Sequence, residues 1–200
     1  MNSANIVLPD NYESTWLIGF RLDPDREEPK LFTLIFSGDR DFPLAIDGYI
    51  IFFNNLDLIP NALELVNYEQ RKVVKTPNEI DLVVDIAVML YLICEEDIDD
   101  SATIVNGLNI IFDLVKATNL PFPSKYKQNL YKLADHTTFS KDLLSFFQEE
   151  DIKRADIHDA LLWCIGVIVS KSQLLEDYVK EEKEKVKSKE ADLSDEKIDM

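Results

Sequence analysis

An α+β fold is predicted, with a small N-terminal antiparallel β-sheet packed on a larger C-terminal helical bundle. Up to about Asn54, apolar residues alternate in short segments that turn residues separate, whereas from Leu56 onward they recur at helical spacing. Hydrophobic residues make up 46% of the 200-residue chain, which is enough to build a core. We therefore expect residues 1–54 and 55–180 to form one globular domain, followed by a charged tail at 181–200 that is a frayed helix or disordered.

The N-terminal part contains the signals of three or four strands. A strand is predicted near Trp16–Leu22, because alternate residues there put Trp16, Ile18 and Phe20 on one face. Leu31–Phe36 is a second strand candidate. Asp47-Gly48 lies between two apolar runs, a strong signal of a β-hairpin.

The first helices are predicted from their N-terminal signals. A short helix is expected at Leu56–Val66, with Pro60 in its first turn. Thr76-Pro77-Asn78-Glu79 matches a capping box, which predicts a helix from there to about Cys94. That helix is apolar on nearly every side, which is typical of the middle of a bundle. Asp81 and Asp85 would share one of its faces.

We expect the later helices to begin at four positions: at Asp99 or Asp100, at Ser124, at Ser140 and at about Asp151. The last of these is predicted to continue beyond Leu175 as one long helix. Gly107 lies inside the first and indicates close packing against a neighbouring helix.

Charge is the most informative feature of the composition. The chain has 38 acidic and 21 basic residues, a formal net charge of −17. Such a surface repels nucleic-acid phosphates and anionic lipid, and it attracts basic partners. The start of the chain lacks the pattern of a secretory signal, and the most apolar run, Leu82–Cys94, is too short to span a bilayer. We expect a soluble, cytoplasmic protein that binds neither nucleic acid nor membrane, with Cys94 and Cys164 as reduced core thiols.

Motifs for catalysis and for cofactors are weak. The sequence has no Gly-x-Ser-x-Gly elbow, and its five glycines form no phosphate-binding loop, so we expect no cofactor. The two histidines, His136 and His158, each have acidic neighbours, and with Asp159 they are the ligands that a metal site would use. Two histidines without a third make a poor site, and no bound metal is expected.

The densest group of acids consists of five residues between two predicted helices: Glu95, Glu96, Asp97, Asp99 and Asp100. Counted from Asp97, a calcium loop of the EF-hand type would need glycine at Ala102 and glutamate at Leu108, so the register does not fit. We predict instead that these acids are the first contact with a basic partner protein.

The leading hypothesis is a non-enzymatic intracellular protein-interaction or inhibitory module. Its most concrete form is an immunity-type inhibitor that neutralises a basic nuclease or toxin through an acidic surface. One alternative is a metal-dependent hydrolase with a His/carboxylate site, and another is a structural subunit of a larger assembly. Histidines and acids converging in one cleft would favour the hydrolase, whereas an acidic face with exposed aromatic residues would favour the binding module.

The charged tail generates the first prediction. Truncation after Lys180 should leave the midpoint of thermal unfolding nearly unchanged, because the removed residues add little apolar surface to bury. Differential scanning calorimetry of the full and truncated chains measures this. A fall of many degrees would contradict it and would mean that the tail docks on the body.

Overall fold

The computed structural model describes residues 12–70, 76–95, 99–140 and 142–195, and it confirms the α+β class. Within these residues the chain forms seven strands and seven helices. The strands are β1 (Tyr12–Arg21), β2 (Leu31–Gly38), β3 (Asp41–Pro43), β4 (Ala45–Ile46), β5 (Tyr49–Phe52), β6 (Leu82–Asp85) and β7 (Ser172–Leu174). The helices are α1 (Ile59–Gln70), which follows a 3-10 turn at Leu56–Leu58, α2 (Ile86–Cys94), α3 (Ser101–Ala117), α4 (Ser124–Ser140), α5 (Leu143–Glu149), α6 (Arg154–Ser170) and α7 (Leu175–Asp195).

The strands form two connected sheets of mixed direction. Their orders are β3-β2-β1-β6 and β4-β5-β7, and a pair of backbone hydrogen bonds between Phe32 and Phe53 joins them. β1 and β2 are antiparallel, as expected, and Asp47 and Gly48 make the predicted β4–β5 turn with positive φ angles. β6 and β7, however, come from the helical part of the chain and pair in parallel with β1 and β5.

Both faces of the sheet are buried, so its alternate residues enter two separate cores. Ile18, Phe20 and Ile50 belong to the larger core, together with residues of helices α2–α6. Leu17 and Ile51, one position away on the same strands, belong to a second core. α1 and the start of α7 cover that second face. The two-residue period of a strand is what divides its side chains between the cores.

The predicted capping box at Thr76 is wrong. Thr76 is exposed, and the chain enters strand β6 before α2 begins. The N-cap of α2 is Asp85, whose carboxylate accepts the N–H of Val88 at 2.9 Å. Asp81 therefore does not share a helix face with Asp85. Its carboxylate accepts the backbone N–H of Leu17 at 2.7 Å and helps to join the start of β6 to β1.

Asp85 has a second role at the carboxyl end of β6. It lies opposite Arg21 in the parallel register, and the two side chains form an ion pair. Asp85 is 8% exposed, so its carboxylate has lost most of its contact with water. The guanidinium of Arg21 and the N–H of Val88 replace the lost hydrogen bonds to water. One buried carboxylate thus connects β1, β6 and α2.

The single long helix predicted from about Asp151 beyond Leu175 is also wrong. It is interrupted by β7, which separates α6 from α7. The N–H of Ile50 donates to the carbonyl of Lys171 at 2.7 Å, so the backbone turns at that point to extend the sheet. The helix predicted at Ser140 is instead capped by Asp142, which accepts the N–H groups of Leu144 and Ser145.

Two helical predictions are confirmed. Asp100 is the N-cap of α3. Gly107 marks close packing, because a Cβ there would overlap the Sδ of Met89 on α2. Among the helices that the structure describes, none is both long and apolar enough to cross a bilayer.

Asp85 should be essential for stability, whereas Thr76 should not. Asp85→Ala removes the cap of α2 and leaves Arg21 without its partner, so we expect the free energy of unfolding to fall by about 2–4 kcal/mol. Thr76→Ala is the control and should change it by less than about 0.5 kcal/mol. Urea titrations of both variants measure this. Equal losses would contradict the assignment of the cap.

Candidate partner-binding surface

The acidic residues predicted to bind a partner lie where α2 ends and α3 begins. We call Glu95–Asp100 the acidic junction. Glu95 is the C-cap of α2, and Asp99 and Asp100 precede α3. All three are exposed. Glu96 and Asp97 lie outside the described residues.

Asp99 and Asp100 also hold the local structure together. Asp100 accepts the backbone N–H of Thr103 at 3.1 Å and its hydroxyl at 2.7 Å. Asp99 accepts the Ser101 hydroxyl at 2.8 Å and, across the bundle, the backbone N–H of Leu143 at 2.9 Å. Asp99 thus holds the junction against the start of α5, and Asp100 holds the first turn of α3. Both residues remain exposed to solvent.

A groove of about 760 Å³ lies along α5, whose first residue, Leu143, donates its N–H to Asp99 of the acidic junction. We call it the α5 groove, and α5 and the segment 150–154 line it. Arg154 connects the two features, because its guanidinium donates to the carbonyl of Ile93 at 2.9 Å and lies 4.1 Å from the ring centroid of Phe147. The lining residues are Leu144, Phe147, Gln148, Glu150, Asp151, Ile152, Lys153 and Arg154.

An exposed aromatic side chain lies one helical turn before the acidic junction. Tyr91 on α2 is 51% exposed, and its carbonyl accepts the N–H of Glu95 at 3.0 Å. The apolar sequence of this helix predicted a place in the middle of the bundle, so Tyr91 was not among the predicted site residues. A single tyrosine in an otherwise aliphatic run that ends at a glutamate was the available signal.

The ligands named for a metal site do not form a group. His136 Nε2 lies 2.8 Å from Ser145 Oγ and 3.0 Å from the carbonyl oxygen of Asp142, and its ring meets Phe146 edge-on. His136 thus joins α4 to the start of α5. His158 lies on α6, with Nδ1 4.0 Å from Asp159. In the part of the chain that the structure describes, no three His, Cys, Asp or Glu side chains are grouped so that they could hold a metal ion.

Two further reactive side chains, Asp156 and Cys164, lie on the same helix as His158. Asp156 on α6 accepts a hydrogen bond from Lys125 on α4 at 2.7 Å, and this contact lowers the pKa of Asp156. Burial raises the pKa of the Cys164 thiol to about 12, so it remains protonated at neutral pH. Cys94 was expected in the core, but it is exposed at the end of α2.

Comparisons with known proteins give one structural similarity. No family model and no curated protein matches the chain. Among solved structures, the chain is similar to the crystal structure of the C-terminal domain of SatS in complex with bromine. The two share 13% sequence identity, with a TM-score of 0.47, over 80% of this chain and 94% of that one.

The hydrogen bond from Leu143 to Asp99 generates a prediction. Asp99→Ala leaves a buried backbone N–H without its acceptor, so the free energy of unfolding should fall by about 1–2 kcal/mol. Asp99→Asn retains an acceptor oxygen and should cost less than about 0.5 kcal/mol. Urea titration compares the two. A similar loss in both variants would mean that the charge of Asp99, not its hydrogen bond, stabilises the fold.

Proposed function

We propose that this protein is a non-enzymatic protein-interaction module of the inhibitory, immunity type, which binds a basic partner protein through the acidic junction. The observation that carries the proposal is the exposure of Tyr91 near the end of α2, together with the exposed carboxylates of Glu95, Asp99 and Asp100 in the junction that follows. Aromatic side chains are enriched where protein interfaces are anchored, and surrounding charges select the partner and speed its approach.

The α5 groove supports the same proposal. Leu144, Phe147 and Ile152 offer apolar surface near the acidic junction, while the charged residues of the lining balance one another, Glu150 and Asp151 against Lys153 and Arg154. A partner with an apolar side chain between lysine or arginine residues is complementary to this combination. Free DNA and RNA are not complementary to this surface, because a protein with a net charge of −17 repels their phosphates.

The alternative of a metal-dependent hydrolase receives no support from the placement of its residues. His136 stabilises the contact between α4 and α5, and His158 lies elsewhere, on α6. The third hypothesis, a structural subunit, has no observation of its own in its favour.

We also propose that the protein acts in the cytoplasm. Cys94 and Cys164 are both free thiols, and Cys94 is exposed. A reducing compartment keeps such thiols unpaired.

The proposal is tested on the partner that co-purifies with the full chain from native extract and is identified by mass spectrometry. In the junction variant, the acids Glu95, Glu96, Asp97, Asp99 and Asp100 are all replaced by their amides. A matched control replaces five acids of exposed loops, Asp23, Asp25, Glu27, Glu28 and Asp39, by theirs. Both variants raise the net charge by five, so they differ only in where the charge is lost.

Stopped-flow measurements over a range of salt concentrations should show slower association for the junction variant, by about tenfold at low salt. The association rate of the control variant should fall much less, and the dissociation rate should change little in either variant. Tyr91→Ala should instead speed dissociation. A partner that is not basic, or equal losses in both charge variants, would overturn the proposal.

A further inference from the structure

A second cleft lies on a different surface, where the sheet meets the start of α7. Its volume is about 430 Å³, and we call it the α7 cleft. It shares no lining residue with the α5 groove. The residues that line it are Leu31, Phe52, Ser172, Gln173, Leu174, Asp177, Lys180, Glu181 and Glu184.

The floor of the α7 cleft is apolar. Leu31 from β2, Phe52 from β5 and Leu174 from β7 reach it from three strands. Leu31 and Leu174 are half-buried at the margin of the larger core, and Phe52 is part of that core. A ligand that enters the cleft can therefore cover apolar surface that the chain leaves partly open to water.

The wall of the cleft is one face of α7. Asp177, Glu181 and Glu184 are spaced by four and three residues, which places them together along the helix. All three are exposed, and Gln173 donates to the carboxylate of Glu181 at 3.2 Å. Among the residues that line the cleft, Lys180 is the one cation.

The sheet ends at this cleft. β7 is the outer strand in the order β4-β5-β7, and its one neighbour in that sheet is β5. An edge strand can accept hydrogen bonds from an extended segment laid beside it. The α7 cleft thus has an apolar floor, an acidic wall and an edge strand.

We propose that the α7 cleft binds an extended basic segment of a partner protein, with an apolar side chain on the floor and flanking lysine or arginine residues against Asp177, Glu181 and Glu184. A second copy of this chain is a poor occupant, because each copy carries a charge of −17. The inference rests on the proposed function in taking the ligand to be a basic protein. It names a second contact surface, separate from the acidic junction.

The probe is a fluorescein-labelled synthetic peptide, Lys-Leu-Lys-Val-Arg-Leu-Lys, with blocked ends. In fluorescence anisotropy at low ionic strength, the full-length protein should bind it. A peptide with glycine in place of leucine and valine should bind more weakly, because it cannot cover the floor. In NMR titrations with isotope-labelled protein, the largest shift changes should fall on Leu31, Leu174 and Glu181.

Two matched variants of α7 separate the cleft from general charge. Asp177→Asn/Glu181→Gln removes two charges from the cleft, and Glu176→Gln/Glu182→Gln removes two from the same helix outside it. Each variant loses one first-turn acid of α7. The cleft variant should weaken peptide binding about five- to tenfold and the control less than about twofold.

Equal losses in the two variants, shift changes away from the cleft, or no binding of the peptide would overturn this inference. The junction variant, assayed with the same peptide, should behave like the α7 control. If association with the co-purified partner is slowed by the junction variant but the peptide does not bind, the α7 cleft fails while the proposed function stands. If the peptide binds in the cleft but the junction variant associates with the partner as fast as the unchanged protein does, the proposed function fails while the α7 cleft stands.

Discussion

The fold depends on a sheet that is buried on both faces. Along β5, Ile50 and Phe52 enter the larger core, while Ile51 and Phe53 enter the smaller one. An antiparallel sheet can leave one face in water, but here the central strands β1, β2 and β5 are buried at consecutive positions. The helical bundle and the layer made by α1 and the start of α7 are therefore both required to cover it.

This constraint explains where sequence patterns predicted the fold and where they did not. The strand β1, the turn at Asp47-Gly48 and the cap at Asp100 were predicted from local signals, and each is confirmed, although β1 is buried at consecutive positions and does not alternate. The segment from Leu82 to Cys94 is apolar except for Asp85, and its apolar residues fit a buried strand and a buried helix equally well. Asp85 is itself a local N-cap signal in this segment, whereas its ion pair with Arg21, 64 positions earlier in the chain, and the pairing of β6 with β1 are long-range contacts that local patterns do not show. The break before β7 likewise depends on β5, which offers an edge to pair with.

The candidate surfaces show the same limit. The acids at residues 95–100 were visible as a cluster, but the exposed ring of Tyr91 was not, because an aliphatic helix is typical of a core. The α7 cleft was hidden altogether. In the sequence, the acids of its wall have the pattern of an ordinary solvated helix face. Its floor is formed by residues of β2, β5 and β7, which are far apart in sequence. Only the three-dimensional arrangement unites apolar floor and acidic wall.

Part of the negative charge serves the fold itself. Asp85, Asp100 and Asp142 each cap a helix, and Asp99 joins α3 to α5. A carboxylate at a helix N-terminus accepts hydrogen bonds from the free N–H groups there and interacts favourably with the helix dipole. The field that a distant partner senses is the sum over all charges, whatever each one does locally. Capping and attraction of a basic partner are therefore compatible at Asp99 and Asp100. Because an amide oxygen also accepts these hydrogen bonds, amide substitution at Asp99 and Asp100 should remove the charge and spare the fold, so the proposed binding role can be tested apart from the structural one.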